Sequence, residues 1–107
     1  MDVEQIPDFS SAVLDVVDLI PPGKVMTYGD VAEYLGRGGA RAVGTAMARW
    51  GGSVAWWRVL RAGGWPPPGH EERALAHYRA EGTPLHPSGL RVDLTRARWE
   101  DPPPSPP

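Results

Sequence analysis

The sequence predicts an α+β fold, mainly helical, of the winged helix-turn-helix type with one short strand pair. Three observations carry that prediction. Two short helical segments, residues 27–35 and 40–50, flank the glycine-rich turn Gly36-Arg37-Gly38-Gly39. An apolar and aromatic stretch over residues 54–60 then reads as a strand. The alternating run Leu90-Arg91-Val92-Asp93-Leu94 reads as another, pairing near Leu85 to form a wing.

Each element has its own local cause. Over residues 9–20, Val13, Leu14, Val16, Val17 and Ile20 recur close to helical spacing, and Pro21-Pro22-Gly23 stops the helix. Residues 24–26 are extended. Thr27-x-x-Asp30 is a capping-box start, with Asp in place of the usual Glu or Gln, for a helix through Leu35. The next helix, residues 40–50, separates into a core stripe of Val43, Met47 and Trp50 and a polar stripe of Arg41, Thr45 and Arg49. Gly44 in its middle costs about 1 kcal/mol relative to alanine, so close approach of another backbone, DNA or a partner helix, is expected there. Gly51-Gly52-Ser53 ends this helix. On the strand that follows, neighbouring side chains alternate, which sends Trp56 and Trp57 to opposite faces. Residues 61–69 form a proline- and glycine-rich loop around Trp65, and residues 71–80 a short helix ended by Gly82. Residues 1–100 make one domain. The proline-rich tail, residues 101–107, is expected to be disordered or polyproline-like.

Composition excludes several functions. The 107 residues contain no cysteine, so there are no disulfides and no thiolate metal sites, and the three histidines lack ligand spacing. No run is long and apolar enough to span a membrane, and the acidic, polar start does not read as a signal peptide. A cytoplasmic monomer without metal or cofactor is the expectation. The net charge of −2 on its face argues against a nucleic-acid binder, but its distribution changes that reading. Residues 1–22 carry five acids and no base; residues 23–65 carry Lys24 and five arginines against Asp30 and Glu33. A basic middle on an acidic body fits modest, salt-sensitive DNA binding through few phosphate contacts.

The stretches Val25-Met26-Thr27-Tyr28-Gly29-Asp30-Val31-Ala32 and Ala40-Arg41-Ala42-Val43-Gly44-Thr45-Ala46-Met47 resemble the C-terminal domain of O6-alkylguanine-DNA alkyltransferases. In that family the next motif is Pro-Cys-His-Arg-Val, whose thiolate accepts the alkyl group. Here the motif reads Ala55-Trp56-Trp57-Arg58-Val59: Trp56 replaces the cysteine, as tryptophan often does in the alkyltransferase-like group, while Trp57 departs from relatives that keep Pro-Trp-His-Arg-Val. The chemistry agrees independently of the resemblance. Dealkylation needs an activated thiolate, the chain has none, and an indole is not a nucleophile at neutral pH. Trp57 stands where the general-base histidine belongs, so no catalytic residue is assigned.

The resemblance implies a non-enzymatic protein that binds duplex DNA containing O6-alkylguanine through a minor-groove helix-turn-helix. It implies that the protein flips the base and flags it for nucleotide excision repair. Arg41 matches the arginine that fills the vacated stack; Tyr28 matches the tyrosine that contacts the neighbouring phosphate, or else packs the helix pair. Ala42, Gly44, Thr45 and Arg49 lie along the same helix, and Thr27 is either a cap or a further phosphate contact. Trp56 is placed on the floor of the lesion pocket, with Arg58, Val59 and Trp65 assigned beside it. Arg58 is also read as structural, paired with a buried carbonyl or acid, and Trp65 as either wall or outer surface. The segment 61–72 corresponds to the wall of the alkyl pocket. The alternative reading is a winged-helix DNA binder, transcriptional or architectural, without lesion preference.

Overall fold

The computed structural model describes residues 5–104; Asp2, Glu4 and the last three residues of the tail lie outside it. Helix α1 (Asp8–Leu19) buries Val13, Leu14, Val16 and Val17, and the chain leaves it at buried Ile20 into the proline pair. The predicted apolar face is therefore the packed one. A two-residue strand β1 (Met26–Thr27) leads directly into α2 (Tyr28–Leu35). There the capping box is complete: Thr27 Oγ1 accepts from the Asp30 amide and Asp30 Oδ2 from the Thr27 amide, both at 3.0 Å.

Gly36 closes α2 in the left-handed conformation, and α3 (Gly39–Trp50) follows after three residues. Gly38 in this turn also has φ +88°, and a Cβ there would overlap the Phe9 ring of α1. The turn is thus fixed by packing as well as by backbone. Along α3, Val43, Ala46 and Met47 are buried while Arg41, Thr45 and Arg49 are exposed, the division the two stripes predict. Helices α1, α2 and α3 enclose the larger core cluster, and Trp50 packs against its edge.

The expected strand over residues 54–60 is largely absent. Gly51–Ser53 and Trp56–Arg58 are single 3-10 turns, and only β2 (Val59–Leu60) is extended. The backbone bonds Trp56 N–H to Val54 O (2.7 Å) and Arg58 N–H to Ala55 O (3.0 Å) turn the chain where β propensity would extend it. The strand pair is also different: β1 and β2 run parallel, with Met26 opposite Val59 and Thr27 opposite Leu60. The wing shrinks to one antiparallel bridge, Leu85 to Val92. Asp93, read as strand, instead caps a four-residue helix, α5 (Leu94–Ala97), which the sequence reading did not foresee.

Helix α4 (Glu71–Glu81) packs Ala74 and Tyr78 into a second core cluster with Val25, Leu60, Val92 and Ala97. Trp56 packs against both clusters and so sits at their junction. The start of the tail returns to the body rather than leaving it, since Tyr34 Oη donates to the Pro103 carbonyl at 2.6 Å. Among the described residues, no helix is long and apolar enough to cross a membrane, and no acid, histidine or cysteine cluster could hold a metal.

Candidate nucleic-acid interface and base pocket

The exposed face of α3 carries Arg41, Thr45 and Arg49, spaced along one side of the helix. Thr45 Oγ1 donates to the Arg41 carbonyl at 3.1 Å, so the hydroxyl is turned back on its own helix. Gly44 faces the Tyr28 ring, which lies 3.6 Å from where a Cβ would stand. The approach anticipated at this glycine is therefore made by an aromatic side chain from α2, at ordinary contact distance. Burial raises the Tyr28 phenol above its usual pKa, with the Arg61 guanidinium pulling weakly the other way. The phenol stays protonated at neutral pH and can donate to a phosphate oxygen.

Beside α3 lies a cavity of about 510 Å³. Tyr28, Arg41, Gly44, Thr45, Met47 and Ala48 form its helical side, Gly51 and Gly52 its rim. Trp56 and Val59 line it from β2 and the turn before it, and Pro67, Pro68, His70 and Arg73 face α3 from across the opening. Trp56 is half-buried and touched on several sides. Its ring meets Trp57 edge-on at 5.6 Å and His77 edge-on at 5.8 Å, with His70 at 5.5 Å and the Arg73 guanidinium 5.3 Å from its centroid. An indole held this way offers a flat apolar surface and cannot act as a nucleophile.

Trp57 leaves the cavity, as the sequence reading has it, though by the twist of a 3-10 turn rather than by strand alternation. It stacks on His77 at 3.6 Å with the rings within 3° of parallel, and its Nε1 donates to Glu81 Oε1 at 3.0 Å. Arg58 forks the same carboxylate, with Nη2 at 2.6 Å from Oε1, and its Nη1 donates to the Ile20 carbonyl at 2.9 Å. The structural reading of Arg58 stands on these contacts, and its assignment to the lesion pocket does not, because it lies outside the cavity lining.

Trp65 and Thr27 lie outside the cavity lining. Trp65 is 44% exposed and absent from the cavity; its ring faces Gly63, with the Arg91 guanidinium 5.6 Å from its centroid on the outer surface. The loop turns it away because Gly64 is clamped against the backbone of Val92, whose amide donates to the Gly64 carbonyl at 2.9 Å. Thr27 is 6% exposed, and its Oγ1 accepts the Asp30 amide, the capping role that was one of its two readings. Ala42 and Arg49 border a separate shallow groove between α1 and α3 together with Trp50. The sequence reading missed His70 and Arg73. One signal was available: they stand at i and i+3 where α4 begins, at the end of the segment matched to the pocket wall.

A helix-turn-helix whose second helix borders an aromatic-floored cavity defines the class. Residues 8–83 match the family described as 6-O-methylguanine DNA methyltransferase, DNA binding domain, and the chain belongs to that family. Within it, the chain is similar to a DNA base-flipping protein of Escherichia coli, 36% identical over 105 residues, covering 91% of this chain and 78% of that protein. It is also 31% identical to alkyltransferase-like protein 1 of Schizosaccharomyces pombe, over 90% of this chain and 98% of that one. The structure superposes on the same yeast protein, Atl1, in complex with damaged DNA containing O6-carboxymethylguanine. That match has a TM-score of 0.77 at 30% identity and covers 92% of this chain and all of the other.

Proposed function

We propose that this protein is a non-enzymatic reader of alkylated DNA. It lays α3 in the minor groove, turns an O6-alkylguanine out of the duplex into the cavity, and holds it against Trp56. The observation that carries this reading is the cavity itself: it opens beside the exposed arginine face of α3, and its aromatic wall is the residue at the family's cysteine position. Arg41 stands at the cavity mouth, where its guanidinium fills the space the base leaves and offsets a few kcal/mol of unstacking. The Tyr28 phenol and the α2 N-terminus hold the adjoining phosphate. Met47, Val59 and the two prolines supply apolar surface at about 0.8 kcal/mol per buried CH2, which separates alkylated guanine from guanine.

With no thiol in the chain, the bound lesion is retained rather than repaired, and the long-lived complex passes the site to excision. Nucleotide excision repair is assigned as the recipient on the family resemblance. The yeast relative's complex with damaged DNA supports the lesion reading over a winged-helix regulator without lesion preference. So does the reduction of the wing to one bridge.

The test is fluorescence-anisotropy titration of two duplexes that differ by one O6-methylguanine, at two salt concentrations. Tighter binding to the lesion, with no methyl found on the protein by mass spectrometry, is the expected result. Equal, salt-sensitive binding to both duplexes would replace this reading by the regulator.

A further inference from the structure

We propose that Arg61 is a second phosphate contact beside Tyr28, held ready for the DNA backbone by the loop that walls the cavity. This rests on the lesion-reading function and adds to its DNA interface a residue that the sequence reading leaves unassigned. Strands β1 and β2 run parallel with Thr27 opposite Leu60, so the next residues, Tyr28 and Arg61, leave the pair side by side. Neighbouring strands lie about 4.8 Å apart, which brings both side chains to the same stretch of sugar-phosphate backbone. The Arg61 charge acts on the Tyr28 phenol, as such neighbours should.

The guanidinium is well positioned but weakly engaged. Its Nε donates to the Pro66 carbonyl at 2.8 Å, within a loop that the Arg61 amide closes on the Trp65 carbonyl at 2.9 Å. Pro66 is fully buried, and the adjoining Pro67 and Pro68 line the cavity. The arginine is therefore fixed to the pocket wall, and little side-chain freedom remains to be lost on binding. Nη2 reaches Glu71 only at 3.5 Å, and the two side chains are 41% and 49% exposed. Among the described residues, Nη1 makes no hydrogen bond.

An exposed pair of this length is worth little and yields to a better anion. Glu71 does not depend on it. Its Oε2 accepts from the Gly69 amide at 3.2 Å, and the Glu71 and Gly69 amides, ahead of Arg61, hold its carboxyl below the usual range. A phosphate can take Nη1 and Nη2 together, a forked geometry that Glu71 does not achieve here. Asp30, the acid in the first turn of α2, offers no competing pair, since Oδ2 serves the cap and the Arg98 Nε, each at 3.0 Å.

The experiment follows anisotropy of an undamaged and an O6-methylguanine duplex over a range of salt, in wild type, Arg61→Lys, Arg61→Gln, Glu71→Gln and Arg79→Gln. Each phosphate contact contributes about 0.9 to the slope of log affinity against log salt. Arg61→Gln lowers the slope by about that amount on both duplexes. Arg61→Lys also loses the Pro66 bond but keeps the charge, and retains the slope. Arg79→Gln removes the same charge from the last turn of α4, the end away from the cavity, and leaves the slope unchanged. Glu71→Gln keeps Arg61, removes the competing acid and tightens binding about twofold. The backbone bonds of the loop do not use the Arg61 side chain, and circular dichroism checks each fold. A purely structural staple would weaken Arg61→Lys and Arg61→Gln alike with no change of slope. That result, an equal fall of slope in Arg79→Gln, or no gain in Glu71→Gln overturns the inference while lesion preference of the wild type still stands. Equal binding of the two duplexes by the wild type overturns the lesion reading instead, and no binding to either overturns both.

Discussion

Removing Glu81 tests whether the pocket is held from behind by one carboxylate. Glu81 accepts from Arg58 Nε and Nη2, from Trp57 Nε1 at 3.0 Å and from the Gly23 amide at 3.3 Å. The Arg58 and Glu81 side chains are only 16% and 13% exposed. In Glu81→Ala, Arg58 keeps the Ile20 carbonyl but loses its counter-ion, and two further donors lose their acceptor. Breaking a buried pair from one side costs about 3–5 kcal/mol, and the residual exposure here lowers the figure to about 2–3 kcal/mol. At about 4–8 °C per kcal/mol for a domain of this size, Tm falls by roughly 10–20 °C.

The pH dependence is a second readout of the same substitution. Burial pushes the Glu81 carboxyl up, but hydrogen bonds from Arg58, Trp57 and Gly23, with the Arg58 charge, outweigh it and leave the pKa below its usual value. On acidification the unfolded chain therefore takes up the proton first. The stabilisation is complete above the ordinary glutamate range and is lost as pH falls through the lowered folded value. Urea unfolding from neutral pH into acid should show a steeper loss in wild type than in Glu81→Ala. A neutral-pH loss under about 0.5 kcal/mol, with parallel acid slopes, would refute the reasoning.

Three other substitutions follow from the same contacts. Thr27→Ala removes a buried N-cap and half of a reciprocal box, and should cost about 1 kcal/mol in urea unfolding. Gly64→Ala places a Cβ on the Val92 carbonyl at φ +91°, so calorimetry should show a loss of at least about 1–3 kcal/mol from backbone strain alone. Arg41→Ala should weaken binding to an O6-methylguanine duplex by about tenfold or more by anisotropy. Trp57→Phe should cost about 1 kcal/mol of stability through the lost Glu81 bond and weaken binding less; equal affinity losses would remove Arg41 from the insertion role.

The legible parts of this molecule are those whose cause is local. The α1 face, the Thr27–Asp30 box, the glycine turn and the two stripes of α3 each depend on residues a few positions apart. That the 107 residues contain no cysteine is read directly from the chain. The kind of partner Arg58 takes, a carbonyl or an acid, was legible through its match to the family's motif arginine.

Where contacts cross the chain, tertiary packing decided. Valine and tryptophan over residues 54–60 favour a strand in isolation, yet Trp56 must sit between two core clusters, and two 3-10 turns place it there. Strand β2 then pairs with β1, a partner no local signal designates. Trp65 lies outside the cavity and Arg73, unassigned from the sequence, lines it for a related reason. Clamping of Gly64 on Val92 turns the loop tryptophan outward, while the start of α4 brings His70 and Arg73 to the cavity. Sequence periodicity fixes which face of an element is apolar, but which element meets that face depends on distant segments filling one volume together.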